Sequence, residues 1–224
     1  MKLEELRQEV MRVAVKNNKG HIAPSLSCLD ILTVLYYEPE FEKDKVILSK
    51  GHGCYGLYAI QADKGEIAKE DWEDFNLPGC LDGFGSLGHG LPIAVGIAFG
   101  NKLQGKKEHI FCIVGDGEMQ EGSMWEALNF LHHYDLNNIT VVIDHNGLQA
   151  MDKVNNVLSQ RLFDRLVGWG FLPGRCDGHD YEQLKYSLEY RPQVLIADTV
   201  KGKGFPYMEG VAKWHYRVPN DNQR

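Results

Sequence analysis

The stretch "IVGDGEMQEGSMWEALNFLHHYDLNNITVVIDHN", residues 113–146, decides the fold of this chain. Two apolar runs, at Ile110–Val114 and Thr140–Ile143, each lead into polar residues within it. A helical pattern lies between the runs, which predicts a right-handed strand–helix–strand unit with parallel strands. Asp116 and Asn146 then stand just past the two strand ends, 30 residues apart in the chain. Because parallel strands end at the same edge of a sheet, the pattern predicts a polar site at that edge.

Two further short apolar runs, Val46–Leu48 and Val194–Ala197, predict additional strands. All four runs are too continuous to leave one face in water, which favours a parallel sheet covered by helices on both sides. Ser27, followed by Asp30 three residues later, predicts a capping box at the start of a helix. We therefore expect an α/β fold with three α/β/α layers, a central mainly parallel sheet, and a single domain over residues 1–224.

The composition excludes several classes of protein. The net charge of −7 argues against nucleic acid or an anionic membrane surface as the main partner. Hydrophobic residues make up 43% and charged residues 25% of the chain, as in ordinary globular proteins. The first ten residues, MKLEELRQEV, carry charge where a signal peptide needs an apolar stretch, and no apolar stretch reaches membrane-spanning length. We expect a cytoplasmic protein.

The residues at the predicted strand ends suit a magnesium site. Gly115 and Gly117 would let a ligand approach the backbone closely, and the Asp116 carboxylate is a hard oxygen donor. Asn146 offers an amide oxygen, and the Leu148 carbonyl would add a third oxygen if the turn after Asn146 curls back. Magnesium prefers six oxygens, so three from protein leave room for a diphosphate and a water. A Gly-Asp-Gly turn alone is commonly structural, and the matched Asn makes the pair more specific.

This pair resembles the thiamine diphosphate-binding motif, in which Gly-Asp-Gly is followed one strand later by Asn. Further segments, in family order, resemble the transketolase family. They are "NKGHIAPSLS" (18–27), "LSKGHG" (48–53), "GSLGHG" (85–90), "GDGEMQEGSMWEA" (115–127) and "MEGVAKWH" (208–215). The resemblance implies the thiamine diphosphate-binding fold of the N-terminal half of a transketolase, in a form split between two chains.

The resemblance also implies roles for individual residues. The implied magnesium ligands are Asp116, Asn146 and the Leu148 carbonyl. The implied cofactor-binding residues are His52, Gly85, Ser86, Leu87, Gly115, Asp116, Gly117, Glu118, Asn146 and His215. The implied catalytic residues are His21, His52, His215 and Glu121. A near-neutral imidazole at His21 would move protons at substrate hydroxyls. Glu121 and Glu126 would belong to a carboxylate network at a subunit interface.

The implied function is a thiamine diphosphate- and Mg²⁺-dependent transferase that moves a two-carbon ketol unit from a ketose-type donor to an aldehyde acceptor, in carbohydrate metabolism. The alternatives are a 2-oxo acid decarboxylase or dehydrogenase component and a catalytically silent diphosphate-binding subunit. No second α/β pattern follows, so we expect a second subunit that carries the pyrimidine-binding domain and the activating Glu, in an α2β2 assembly. The other possibility is that this sequence is the first part of a longer chain.

Departures from the family pattern leave the sugar open. The segment "LPGCLDGFGSLGHG" (77–90) is short and lacks the His-Pro that precedes this loop in the family, and His89 stands where Gln is common. Lys50 and Lys201 are candidates for phosphate contacts, although lysine side chains more commonly face water. His132 and His133 have no zinc-ligand spacing and are expected on a helix surface.

Overall fold

A parallel sheet lies at the centre of the computed structural model, which describes residues 2–75, 86–159 and 161–220. Within these residues the strands are β1 (Lys45–Leu48), β2 (Ile110–Gly115), β3 (Ile139–His145), β4 (Gly174–Asp177) and β5 (Val194–Asp198). They are arranged in the order β1-β2-β3-β5-β4, and every pair is parallel. Four of them were predicted from apolar runs. β4 was missed because Cys176 is its single buried residue, so this edge strand has no apolar pattern.

Helices cover both faces of the sheet. They are α1 (Leu3–Lys16), α2 (Ile22–Ser27), α3 (Leu29–Tyr37), α4 (Tyr55–Asp63), α5 (Lys69–Glu73), α6 (Gly90–Leu103), α7 (Gly122–His133), α8 (Val154–Val157), α9 (Leu162–Gly168) and α10 (Tyr181–Glu189). The core on one face is built with α1–α5 and α10, and the core on the other with α6, α7 and α9. No helix in the described part of the chain has the length and apolar character needed to cross a bilayer.

The central strand β2 shows why the sheet needs two helical layers. Phe111 and Ile113 pack into one core, whereas Cys112 and Val114 pack into the other. All four side chains are fully buried, because successive residues of a strand point to opposite faces. The predicted three-layer α/β/α fold is confirmed.

The predicted capping box at Ser27 is wrong. Ser27 is the last residue of α2, and α3 begins at Leu29. The Ser27 hydroxyl donates to the carboxylate of Asp144 at 2.7 Å, and Asp30 accepts two hydrogen bonds from Arg7 at 2.8 and 2.7 Å. Buried partners far away in the sequence have taken the place of local capping, since a buried polar group needs a partner wherever it finds one.

The strand register brings the carboxyl ends of the strands to one edge. Leu48 at the end of β1 is paired with Ile113, and Gly115 at the end of β2 is paired with Asp144. His145 at the end of β3 is paired in turn with Asp198 of β5. Residues that follow β1, β2, β3 and β5 therefore meet at this edge of the sheet.

Gly90, the first residue of α6, is expected to be intolerant of a side chain. A Cβ there would lie 2.5 Å from both the Cα and the Oγ of Ser49, directly after β1. Gly90→Ala should lower the free energy of unfolding by about 1–3 kcal/mol, the usual cost of overpacking. Urea unfolding of the purified chain measures this change.

Gly96→Ala is the matched control in the same helix, since a Cβ at Gly96 meets nothing within 4 Å. It should raise stability by up to about 1 kcal/mol, because Ala has the higher helix propensity. Equal stabilities of the two variants would contradict the close approach of α6 to Ser49.

Candidate active site

A cavity of about 940 Å³ opens at the carboxyl edge of the sheet and gathers most of the predicted site residues. Those that line it are His21, His52, Leu87, Gly115, Asp116, Gly117, Glu118, Glu121, Asn146, Leu148 and His215. Ser86 is exposed and is not part of the cavity lining, and Gly85 lies outside the described residues. Segments separated by up to 194 residues thus meet in one place, although no sequence pattern specifies their distances.

The Asp116 carboxylate is held by the backbone that follows β2 and β3. Its Oδ1 accepts a hydrogen bond from the Gly117 N–H at 2.8 Å, and its Oδ2 accepts one from the Gly147 N–H at 2.6 Å. Burial, together with the nearby Asp144 carboxylate, raises the pKa of Asp116 to about 6. The ionised form is therefore costly, and a bound divalent cation would favour it.

The turn after Asn146 curls back, as the sequence analysis required. The Asn146 Oδ1 accepts the Leu148 N–H at 3.0 Å, and both residues line the cavity. The Leu148 carbonyl accepts a hydrogen bond from the Lys201 Nζ at 3.2 Å.

These donors are a carboxylate, an amide and a backbone carbonyl, the hard oxygen ligands that suit Mg²⁺. Among the described residues, no cluster of three or more His, Cys, Asp or Glu side chains could hold a metal. A cation at this edge would therefore depend on the Asn146 amide and the Leu148 carbonyl in addition to Asp116. The residues fit a magnesium ion that takes its remaining oxygens from a diphosphate and water.

Three histidines from distant segments form a cluster in the cavity wall. His21 precedes α2, His52 lies in a 3₁₀ turn after β1, and His215 lies in a 3₁₀ turn near the end of the described chain. The ring centroids are 5.4 Å apart for His21–His52, 5.3 Å for His21–His215 and 5.2 Å for His52–His215. The ring of Tyr216 lies 4.7 Å from that of His21 and was not anticipated from the sequence.

Burial and nearby lysines keep these imidazoles neutral. Burial, and secondarily Lys50, lowers the pKa of His52 to about 2. Burial and Lys201 lower the pKa of His215 to about 3 and also lower that of His21. Neutral imidazoles can accept and return protons at neutral pH, which is what proton transfer at substrate hydroxyls requires.

Lys201 sets the tautomer of His215. Its Nζ lies 2.7 Å from the His215 Nδ1, so an ammonium at Lys201 donates and Nδ1 accepts. The Nε2 of His215 then carries the proton and is the ring's donor. Burial, and secondarily Lys50, lowers the pKa of Lys201 to about 8.

Lys50 and Lys201 do not face water, in contrast to the common behaviour of lysine. Each is only 2% exposed, and both line the cavity. Lys50 forms an ion pair with the fully buried Asp144 of β3. An Asp at the end of an otherwise apolar strand was the sequence signal for a buried cation, and it was missed.

Glu118 ties three parts of the site together. Its carboxylate accepts the Ser49 hydroxyl at 2.6 Å, the Gly88 N–H at 3.0 Å and the Gly115 N–H at 3.1 Å. These donors come from the segment after β1, the loop before α6 and the end of β2. Glu118 is 2% exposed, so its carboxylate acts on the cavity through the position of these segments.

An open parallel α/β sheet with Asp and Asn after neighbouring strands defines a diphosphate-binding domain of the kind that thiamine diphosphate enzymes use. The family described as "Transketolase, thiamine diphosphate binding domain" matches residues 3–218. The chain belongs to this family.

Similar proteins include both split and full-length transketolases. An apulose-4-phosphate transketolase subunit of Phocaeicola vulgatus is 33% identical over 98% of this chain and 89% of its own length. The protein of the same name from Actinobacillus succinogenes is 36% identical over 91% of this chain and 84% of its own length. The crystal structure of transketolase from Campylobacter jejuni superposes with a TM-score of 0.84 at 27% identity, covering 96% of this chain.

The chain spans 40% of the length of that full-length transketolase and of human transketolase, to which it is 29% identical. The predicted family, the N-terminal half of a transketolase as it occurs in split enzymes, is confirmed by the match to the two single-subunit relatives. The predicted enzyme class, a transketolase-like transferase, is confirmed at the level of this family.

His52 should make folding stability depend on pH. The unfolded chain binds a proton at His52 below its ordinary pKa of 6.5, whereas the folded chain does not until about pH 2. The stability is therefore complete above pH 6.5 and is lost as the pH falls. His52→Gln should flatten the profile between about pH 6.5 and about pH 5 by up to about 1.4 kcal/mol per pH unit.

Urea unfolding at a series of pH values measures the slope. His133→Gln is the control, because His133 is exposed on α7 and does not line the cavity. A wild-type slope retained in His52→Gln would show that His52 is not held neutral in the folded state.

Proposed function

We propose that this chain is a thiamine diphosphate- and Mg²⁺-dependent transketolase-like subunit. It transfers a two-carbon ketol unit between a ketose-type donor and an aldehyde acceptor, and residues 1–224 are its single diphosphate-binding domain. The observation that carries this proposal is the meeting of the Asp116–Asn146–Leu148 oxygen set with three neutral histidines in one cavity. Oxygen ligands serve a diphosphate-bound cation, and neutral imidazoles serve proton transfer on a sugar.

The proposed division of labour follows from the contacts. Asp116, Asn146 and the Leu148 carbonyl hold the cation, and the buried Lys201 adds positive charge beside the diphosphate. His52 and His215, whose ring centroids are 5.2 Å apart, contact cofactor and substrate, while His21 accepts and returns a proton at a substrate hydroxyl. When bound, thiamine diphosphate supplies the nucleophilic carbon for breaking and forming carbon–carbon bonds beside a carbonyl.

The proposed partner is a second subunit that carries the pyrimidine-binding domain and the activating Glu, in an α2β2 assembly. Two relatives are named as transketolase subunits, and the chain spans 40% of a full-length transketolase. Glu121 lines the cavity and is exposed, and Glu126 is exposed on the helix that follows it. Exposed apolar side chains of α6 and α7, and of the residue after α7, suit coverage by a protein surface: Ile93, Leu103, Phe130 and Tyr134.

The proposed donor and the proposed location come from outside the cavity. Because the names of two relatives contain apulose 4-phosphate, that ketose phosphate is the first donor to test. A cytoplasmic location is proposed from the charged N-terminal residues.

Asp116→Ala should weaken Mg²⁺-dependent binding of thiamine diphosphate more than Asn146→Ala does. The first change removes an anionic ligand of a hard cation and the second removes a neutral one. Since second-sphere changes at metal sites cost about 10–100-fold in affinity, the loss of Asp116 should exceed about 100-fold. Titration calorimetry with cofactor and Mg²⁺ measures both variants.

His133→Ala serves as the surface control and should bind like the wild type. The fold should survive in all three variants, because the site lies at strand ends and not in either core. Unchanged magnesium dependence in Asp116→Ala would refute the metal assignment. Full cofactor binding by the wild type without any transfer activity, even with its partner present, would favour the silent diphosphate-binding alternative.

The purified chain by itself should show no ketol transfer, and addition of its partner should restore it. The physical reason is that the cofactor's pyrimidine ring needs a glutamate from a second domain, and residues 1–224 carry the pattern of one α/β domain. Transfer is measured with apulose 4-phosphate and other phosphorylated or free ketoses as donors. A 2-oxo acid tested in parallel identifies the decarboxylase alternative.

Full turnover by this chain without a partner would refute the requirement for one. Glu121→Gln and His133→Gln, compared at saturating partner, separate interface from surface effects, because of the two only Glu121 lines the cavity. Glu121→Gln should reduce the restored rate, and His133→Gln should not.

A further inference from the structure

Asp144, the penultimate residue of β3, is a buried carboxylate with donors from four separate segments. Its side chain is fully buried. Oδ1 accepts the Ser27 hydroxyl at 2.7 Å and the Thr199 hydroxyl. Oδ2 accepts the Lys50 ammonium and, at 3.2 Å, the Asn146 Nδ2. The last contact joins this carboxylate to the amide that stands among the proposed metal ligands.

The contacts of Asn146 fix which end of its amide points where. Nδ2 can only donate, and it donates to Asp144 Oδ2 and, at 3.1 Å, to the Ser27 hydroxyl oxygen. That oxygen can accept because the Ser27 hydrogen is given to Asp144. Oδ1 lies at the other end and accepts the Leu148 N–H. A flipped amide would set oxygen against the carboxylate and NH₂ against the Leu148 N–H, so both ends oppose the flip.

The ion pair with Lys50 keeps Asp144 an acceptor. Burial opposes ionisation, but the Lys50 ammonium and the hydrogen bonds from Thr199 and Ser27 together lower the pKa of Asp144. Lys50 is anchored in turn by a hydrogen bond to the Pro24 carbonyl at 3.0 Å. An ionised carboxylate has no hydrogen to give, so it can face only the NH₂ end of the amide.

We propose that Asp144, held ionised by Lys50, is a positioning residue that presents the Asn146 Oδ1 to Mg²⁺. The proposal rests on the proposed function, because it assumes that Asn146 is a magnesium ligand. The competing role is purely structural: a buried ion pair that joins β3 to α2 and to the segment after β1. A structural role predicts loss of stability without any specific effect on the amide.

Asp144→Asn is the first test, measured by calorimetric titration of the full chain with Mg²⁺ in the presence of thiamine diphosphate. An Asn at 144 has both a donor and an acceptor, so it no longer selects one orientation of Asn146. Affinity for Mg²⁺ should fall about 10–100-fold, the usual effect of losing a second-sphere partner. Asp198→Asn is the control, since Asp198 also ends a strand and pairs with Arg175 and His145 but does not contact Asn146.

The decisive variant is Asp144→Asn combined with Asn146→Asp. The two oxygens of a carboxylate are equivalent, so a ligand at 146 that is a carboxylate needs no orientation, and most of the lost Mg²⁺ affinity should return. Because Asp144→Asn leaves the buried Lys50 charge without its partner, both measurements are repeated with Lys50→Met added. Unfolding is followed in every variant.

The outcomes separate the two proposals. No Mg²⁺-dependent cofactor binding by the wild type would overturn the proposed function, and this inference with it. Wild-type binding with undiminished affinity in Asp144→Asn, with or without Lys50→Met, would overturn the positioning role alone. Loss of affinity that Asn146→Asp fails to restore would assign Asp144 a purely structural role and also overturn the inference.

Discussion

The buried ion pair between Lys50 and Asp144 is the interaction on which the rest of the site depends. Two charges taken out of water are tolerated only if each is paired and fully hydrogen-bonded, and here the carboxylate has four donors. Those donors come from α2, from the segment after β1, from the residue after β3 and from the residue after β5. The pair therefore fastens together segments from across the chain that contribute to the cavity, and removal of one charge would leave the other uncompensated.

The same pair shapes the electrostatics of the cavity. Lys50 and Lys201 lie beside the histidine cluster and, with burial, hold His52 and His215 neutral. On the other side, the Asp144 carboxylate helps to raise the pKa of Asp116. The cavity thus has a cationic wall where imidazoles lose protons easily, and an anionic corner that favours a divalent cation. Both properties result from one arrangement of charge within this chain's own fold.

Much of the fold was predictable because burial on both faces of a parallel strand leaves a local record. The runs that became β1, β2, β3 and β5 are apolar at successive positions, and the polar residues after them mark the strand ends. β4 was not predictable, since an edge strand with one buried residue carries no such record. The capping box at Ser27 failed for the opposite reason: a local pattern was present, but a buried carboxylate 117 residues away offered the stronger partner.

The sequence by itself determined the chemical inventory and its order: Asp116 and Asn146 after two neighbouring strands, three Gly-associated or Trp-associated histidines, and a resemblance that names the family. These features depend on residue type and spacing, which the chain carries directly. Only the tertiary structure decided that Lys50 and Lys201 are buried, that Glu118 serves the backbone of three segments, and that the Asn146 amide faces Asp144. Such properties arise from contacts between segments far apart in the chain, and the energy of a buried charge is set by neighbours that no local pattern records.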